Sequence, residues 1–464
     1  MRKNAETTAP TRTAADFVLG LTLGAVPDAV VSAAKDHFLD ALGVGVAAAS
    51  VLGAAALGDA VARLGTGGES TAFGRREPLP AAQAALLNGA LVHSLEYDDT
   101  HMAAIVHGSA VAAPAALAVA ERERASGADL LAAYIAGWEV FVRLGLAAPG
   151  AFQARGFQIT AVGGSFVAAL ISGRLMGLTP KQAVAAQGIA GSQASGVFEY
   201  LAEGATVKFL HPGWAAHGGV VAAELARGGL TGPSSIYDGR FGFYRVFAGD
   251  VDAPERLRTS FADLGECWHL PEVALKAYPC CHYIHPFLEG LEGLMVDGLV
   301  PADIVAIRCR VPPEEAPIIC NPWSRKQAPA SGYDAKFSLP YCLAALSVDG
   351  RIDVDTFTTE PGSVALALAQ RITWSPLEGT GFPERFAAEI EIDTVTGETL
   401  RARVDDVRGG PVRPLARAEV DTKFRSNARR SLRYDAVETV YAEMRGLEDS
   451  ANLVVLAAAL RDLG

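Results

Sequence analysis

The chain has 464 residues, half of them apolar and a fifth charged, which suits a folded protein of roughly two to three domains and excludes a disordered polypeptide. Its net charge of −12 and pI near 5.3 argue against a nucleic-acid partner, because phosphate binding needs a basic face. A small anion remains a candidate ligand, provided its pocket is locally basic.

At the N-terminus, "MRKNAETTAPTRTAADF" lacks the apolar segment of a secretory signal. Residues 41–58 carry no charge and just reach spanning length. They are mostly Ala, Gly and Val, lack aromatics and lie between Asp40 and Asp59, so they read as a buried, closely packed helix and not a membrane span. The six cysteines (Cys267, Cys280, Cys281, Cys309, Cys320 and Cys342) form no C-x-x-C pair. That pattern disfavours a disulfide framework, a zinc site or an iron–sulfur site, and fits a reducing, cytoplasmic setting.

From residue 14 to 271 the pattern is helix after helix. "PDAVVSAAKDHFLDALGVGVAAAS" opens with Pro27 and has helical apolar spacing. Four further stretches repeat that spacing, and several end in Gly. The character changes at residue 272. "DIVAIRCRVPP" alternates and is β-branched, which predicts a strand, and "RFAAEIEIDTVTGETLRARVDD" predicts a hairpin turning at Thr396-Gly397. Helical patterns in "YIHPFLEGLEGLMVDG" and "FSLPYCLAALSVDG" are interspersed, and helices resume from residue 419. The expected fold is mainly α: a large all-helical domain (14–271 and 419–464) with an inserted smaller α+β lid domain (272–418).

Chemistry-bearing residues gather at helix entrances. "YDDTHMAAIVHG" sets Asp98, Asp99, Thr100, His101 and His107 in a loop, with Ser109 placed to N-cap the following helix. "ARGFQITAVGG" sets Gln158 and Thr160 at a helix start, and "TVKFLHPGWAAHGG" sets Lys208 and His211 just before one, with Pro212 in its first turn. "LKAYPCCHYIHPF" sets Lys276 before a helix and His285 one to two turns into it. Helix N-termini and lysines favour anions. Asp98, Asp99, His101 and His107 offer zinc or manganese ligand types, but their spacing matches no metal signature. Asp98 and Asp99 also suit structural hydrogen bonding in a loop.

The segments "SLEYDDTH", "KFLHPGWAAHGG" with "LTGP", "KAYPCCHYIHP", "DAKFSLPYCLAAL" and "TKFRSNA" resemble, in order, the signatures of the MmgE/PrpD family. The resemblance implies a homodimer, a small-molecule carboxylate substrate, no metal or organic cofactor, and a site built by the helical domain and the lid. By motif it implies catalytic roles for His107, Lys208, Lys276 and Tyr341, and substrate-binding roles for Glu96, Thr100, Gln158 and Cys281. Glu96 stands where that family usually has Asp, and Gln158 where it commonly has His. The expected reaction is dehydration of a 2-methylcitrate-like hydroxy-polycarboxylate. The alternatives are a cis-aconitate-type decarboxylase, an epimerase or isomerase of a dicarboxylate, and a non-catalytic carboxylate-binding protein. The three reactions share proton transfer beside a carboxylate, for which histidine is the usual base and cations stabilise the developing charge.

Overall fold

A computed structural model describes residues 9–51, 53–203 and 205–464. Residues 1–8 of the N-terminal stretch, in which no secretory signal is read, lie outside the described residues. The chain divides into two compact units. The first holds the chain up to Ser94, then Asp98–Val273 and Ala416–Gly464; the second holds Leu95–Tyr97 and Ala274–Leu415.

The first unit is helical. Its principal helices are α1 (Asp28–Ala48), α2 (Ala81–Ser94), α3 (Ser109–Glu123), α4 (Gly127–Leu146), α5 (Ile159–Leu175), α6 (Leu210–Arg227) and, after the second unit, α9 (Arg417–Ala428). Residues 109–120 of α3 are all buried, so this helix is apolar around its circumference. The most extensive packing is of α6 on α5 and on α2.

Small residues make those crossings close. A Cβ on Gly213 of α6 would lie 2.2 Å from the Leu86 carbonyl oxygen of α2. One on Gly219 would lie 2.3 Å from Ala168 Cβ of α5. The uncharged stretch at residues 41–58 splits between the buried end of α1 and a separate short helix, Ala54–Ala62. Among the described residues, no helix is long and apolar enough to cross a membrane.

The second unit is built on a four-stranded sheet of β1 (Ile304–Val311), β2 (Ile372–Pro376), β3 (Ala388–Thr394) and β4 (Thr399–Val404), in the order β2-β1-β3-β4. β1 and β2 are parallel, and the other two pairings are antiparallel. Period-2 alternation on β3 buries Ala388, Ile390, Ile392 and Thr394 on one face. Its other face carries Glu389, Glu391 and Asp393, which pair across strands with Arg308, Arg310, Arg401 and Arg403. Helices α7 (His285–Val296) and α8 (Leu339–Asp349) share a core with the apolar face.

Several local expectations change. The residue capping α3 is Gly108, because the Ser109 hydroxyl is committed to Asp99. His285 opens α7 instead of lying inside it, because His282–Ile284 forms a separate 3-10 turn. The predicted strand and hairpin form β1, β3 and β4, whereas β2 carried no recognised signal.

Gly213→Ala is expected to lower stability by about 1–3 kcal/mol, the usual cost of overpacking. Thermal unfolding checks this: an unchanged midpoint would contradict the tight α2–α6 crossing.

Candidate functional site

In the first unit the loop between α2 and α3 is pinned from below. Asp99 is buried, and its Oδ1 accepts the Ser109 N–H at 3.1 Å. Its Oδ2 accepts from the Ser109 hydroxyl and from His37 Nδ1 at 2.9 Å. Ser109 Oγ is also bonded to the Tyr134 hydroxyl at 2.6 Å and accepts from Trp138 Nε1 at 3.2 Å. His37, Tyr134 and Trp138 come from α1 and α4, far away in sequence, and the sequence alone gave them no mark.

Above this anchor stands His107. Its Nδ1 lies 3.0 Å from Thr100 Oγ1, 3.2 Å from the Asp99 carbonyl oxygen and 3.5 Å from Asp98 Oδ2. A carbonyl can only accept, so Nδ1 carries the proton and Nε2 is the basic nitrogen. The His107 N–H donates to Thr160 Oγ1 at 3.1 Å, which ties the loop to the first turn of α5.

A second chain of hydrogen bonds begins at the adjacent carboxylate. Asp98 Oδ2 accepts from His93 Nδ1 at 2.7 Å. His93 Nε2 then accepts from the Gln158 amide nitrogen at 3.4 Å, and Gln158 Oε1 accepts from His211 Nδ1 at 2.7 Å. Each donor meets one acceptor, so the chain fixes both imidazole tautomers and the orientation of the amide. Burial, helped by His93 and the Lys208 charge, pushes the His211 pKa down to about 4, so His211 is neutral at pH 7. Lys208 is buried in a 3-10 turn, Thr206–Phe209, immediately before α6. Pro212 is the third residue of that helix.

Two groups among the described residues bring three metal-capable side chains together: His93, Asp98 and His107, and His101, His269 and Glu272. The cluster considered from the sequence is thus divided between them. In the first group both histidines turn an N–H toward oxygen. In the second, His101 Nδ1 accepts the Ala104 N–H at 3.2 Å, so Nε2 holds the proton and faces Glu272 Oε2 at 3.6 Å. Glu272 has its pKa held down at about 2 by His101, which faces it at 3.6 Å, and by His269, which is hydrogen-bonded to it at 2.9 Å. Each group thus pairs a carboxylate with imidazole N–H groups, through hydrogen bonds from His93 to Asp98 and from His269 to Glu272.

The second unit holds Glu96, Lys276, Cys281 and Tyr341. Glu96 adopts a left-handed backbone (φ 54°), an uncommon state for a residue with a side chain. Lys276 is buried, and its Nζ donates to the Glu96 carbonyl at 3.0 Å and sits 3.8 Å from Glu96 Oε2. Tyr97 donates its hydroxyl to the Ala277 carbonyl at 3.2 Å. Lys336, also buried, donates to the carbonyls of Leu95 at 2.8 Å and Pro279 at 3.1 Å. Burial pushes the Lys336 pKa down to about 8. These bonds explain why Leu95–Tyr97 belongs to this unit, which the boundaries expected at 272 and 418 did not anticipate. Cys281 and Tyr341 are buried in the core of the unit, with Tyr341 in the first turn of α8. All six cysteines are free thiols, and Cys267 alone is exposed.

Two outcomes follow from this geometry. Because the folded-state pKa of His211 lies below its ordinary value, the unfolded chain binds the extra proton between about pH 6.5 and 4. Stability is thus expected to fall as pH drops through that window. His211→Asn should flatten the pH dependence of the stability obtained from urea unfolding between about pH 6.5 and 4, and an unaltered pH dependence would contradict a neutral His211. Lys336→Met removes two hydrogen bonds from a buried charge, a loss of about 1–3 kcal/mol each. Faster amide hydrogen exchange across residues 95–97 and 276–281 is the expected readout, and wild-type exchange there would refute the tether.

Comparison with known proteins agrees with this architecture over most of the chain. The signature of the MmgE/PrpD N-terminal domain matches residues 12–256, and that of the MmgE/PrpD C-terminal domain matches residues 278–448. The chain is 28% identical to the cis-aconitate decarboxylase-like protein oryM of Aspergillus oryzae, covering 96% of each chain. It is 28% identical to the cis-aconitate decarboxylase of Homo sapiens, covering 97% of this chain and 94% of the relative. It is 29% identical to that of Mus musculus, covering 97% and 93%. With both domain signatures in order along one chain, this protein belongs to the MmgE/PrpD family.

Proposed function

We propose that the chain is a lyase that removes a carboxyl group from an unsaturated polycarboxylate, a reaction of the cis-aconitate decarboxylase type. The observation carrying this reading is the fixed tautomer of His107, which presents one basic nitrogen beside Thr100 and Asp98 in a chain resembling named decarboxylases along nearly its whole length. The similarity favours loss of CO2 over the dehydration of a 2-methylcitrate-like compound that the sequence first suggested.

In such a reaction the carbon–carbon bond to the departing carboxylate breaks, and its electron pair becomes a new double bond. The old double bond shifts its pair to the far carbon, which takes a proton. That carbon neighbours a second carboxylate, where negative charge builds up before the proton arrives. In this reading protonated His107 delivers the proton from Nε2, and the Asp99 carbonyl and Thr100 hydroxyl hold its ring in place. Lys208 and Lys276 would stabilise carboxylate charge as it develops, the form of stabilisation that lowers a barrier. Thr100 and Glu96 orient these groups, and Tyr341 and Cys281 shape the wall of the second unit. Gln158 contributes a neutral amide. A homodimer belongs to the same reading.

Proton NMR in D2O with cis-aconitate and with 2-methylcitrate tests it. Released CO2 and one deuteron on a single carbon are expected. Release of water without CO2 would overturn decarboxylation in favour of dehydration. His107→Asn should cut turnover by about 10²–10⁴-fold, the usual share of general acid–base catalysis, with the unfolding midpoint unchanged. Near-wild-type turnover would remove His107 from the proton-transfer role.

A further inference from the structure

Three lysines are buried in the second unit: Lys276, Lys326 and Lys336. Lys276 donates to the Glu96 carbonyl, and Lys336 to those of Leu95 and Pro279. Lys326 lies in a short helix, Trp323–Gln327, and is only 8% exposed. Among the described residues its Nζ makes no hydrogen bond and no ion pair. Two acids near this region leave it without a countercharge. Asp334 is engaged by Arg325 at 3.3 Å and by the Ala330 N–H at 3.2 Å. Glu315 is fully buried, and both its carboxyl oxygens lack a hydrogen-bond partner. Burial pushes the Glu315 pKa well up, which favours its uncharged form.

Lys326 adjoins two residues already placed in the second unit's part of the site. Its carbonyl accepts from the Ser338 hydroxyl, and Ser338 Oγ accepts the Tyr341 N–H at 3.0 Å in the first turn of α8. Its ammonium lies within electrostatic range of the Cys281 and Cys320 thiols. Burial lowers the Lys326 pKa, as expected of a cation held out of water without a full countercharge. Such a cation costs the free protein stability, and an arriving anion offsets that cost. We infer that Lys326 is a further substrate-binding residue, whose ammonium beside Cys281 takes one carboxylate of the substrate. The inference rests on the lyase reading above for the class of substrate. The carboxylate held there is one that the product keeps. A cation on the departing carboxylate would stabilise it most before its bond breaks, and so raise the barrier.

The test compares the full wild-type chain with Lys326→Met and Lys326→Arg. Calorimetry uses propane-1,2,3-tricarboxylate, which lacks the double bond the reaction needs, and thermal unfolding is followed without ligand. Lys326→Met keeps the apolar stem and removes the charge. It is expected to bind the tricarboxylate at least about tenfold more weakly, the size of a hydrogen bond to a charged group. Its unfolding midpoint should be unchanged or raised, because an unpaired buried charge has gone. Lys326→Arg, which restores the charge, should bind more tightly than Lys326→Met. Unchanged affinity in Lys326→Met, a lowered midpoint, equal weakness of the two variants, or no binding by the wild type would each overturn the inference. Turnover of cis-aconitate by the wild type separates the two readings. Turnover with affinity indifferent to residue 326 keeps the lyase and removes the subsite. Charge-dependent binding with no CO2 released keeps the carboxylate subsite and removes the decarboxylase.

Discussion

The loop that carries His107 depends on one buried carboxylate. Asp99 has been taken out of water, which costs several kcal/mol unless its oxygens find donors. It finds three, from the Ser109 N–H, the Ser109 hydroxyl and His37. The serine is held in turn by Tyr134 and Trp138, so residues of α1, α3 and α4 share one network. The Asp99 carbonyl then has a fixed direction, and this direction assigns the proton on His107 Nδ1. Nearby, burial raises the pKa of Asp40, which pairs with Lys423 of α9 at 2.8 Å and adds a second tie to α1.

Adjacent carboxylates in the sequence thus have separate tasks. Asp99 holds the loop. Asp98 begins a line of polar groups through His93 and Gln158 to His211. An amide in the middle of that line donates at one end and accepts at the other, so it relays orientation without carrying charge. A histidine at this position would add a group able to titrate. With Gln158 in place, the line ends in a neutral imidazole beside an apolar wall.

The second unit uses buried lysines in the same structural manner. Lys336 spends its three donors on main-chain carbonyls of Leu95 and Pro279 and on the face of Phe357, 4.7 Å from the ring centroid. Lys276 holds the Glu96 carbonyl. Both fix a short segment whose backbone at Glu96 is in a rare conformation, and a strained residue persists where its surroundings over-determine it.

The sequence by itself determined the helices, the β1 strand and the hairpin, because apolar periodicity and turn residues are local properties. It also determined the family, through motifs that keep their order along the chain. It marked His107, Gln158, Lys208 and Lys276 because each lies inside such a motif. It could not mark His37, which meets Asp99 across 62 positions, or β2, whose five residues gain their partner only when β1 lies alongside. It placed Ser109 as a helix cap, whereas folding turned that hydroxyl to a carboxylate. It gave Leu95–Tyr97 to the helical domain, whereas two buried ammonium groups draw that segment into the second unit. Only the tertiary structure decided the tautomers of His93, His107 and His211, because a proton's place on an imidazole depends on which oxygens and nitrogens surround it, and those arrive from distant parts of the chain.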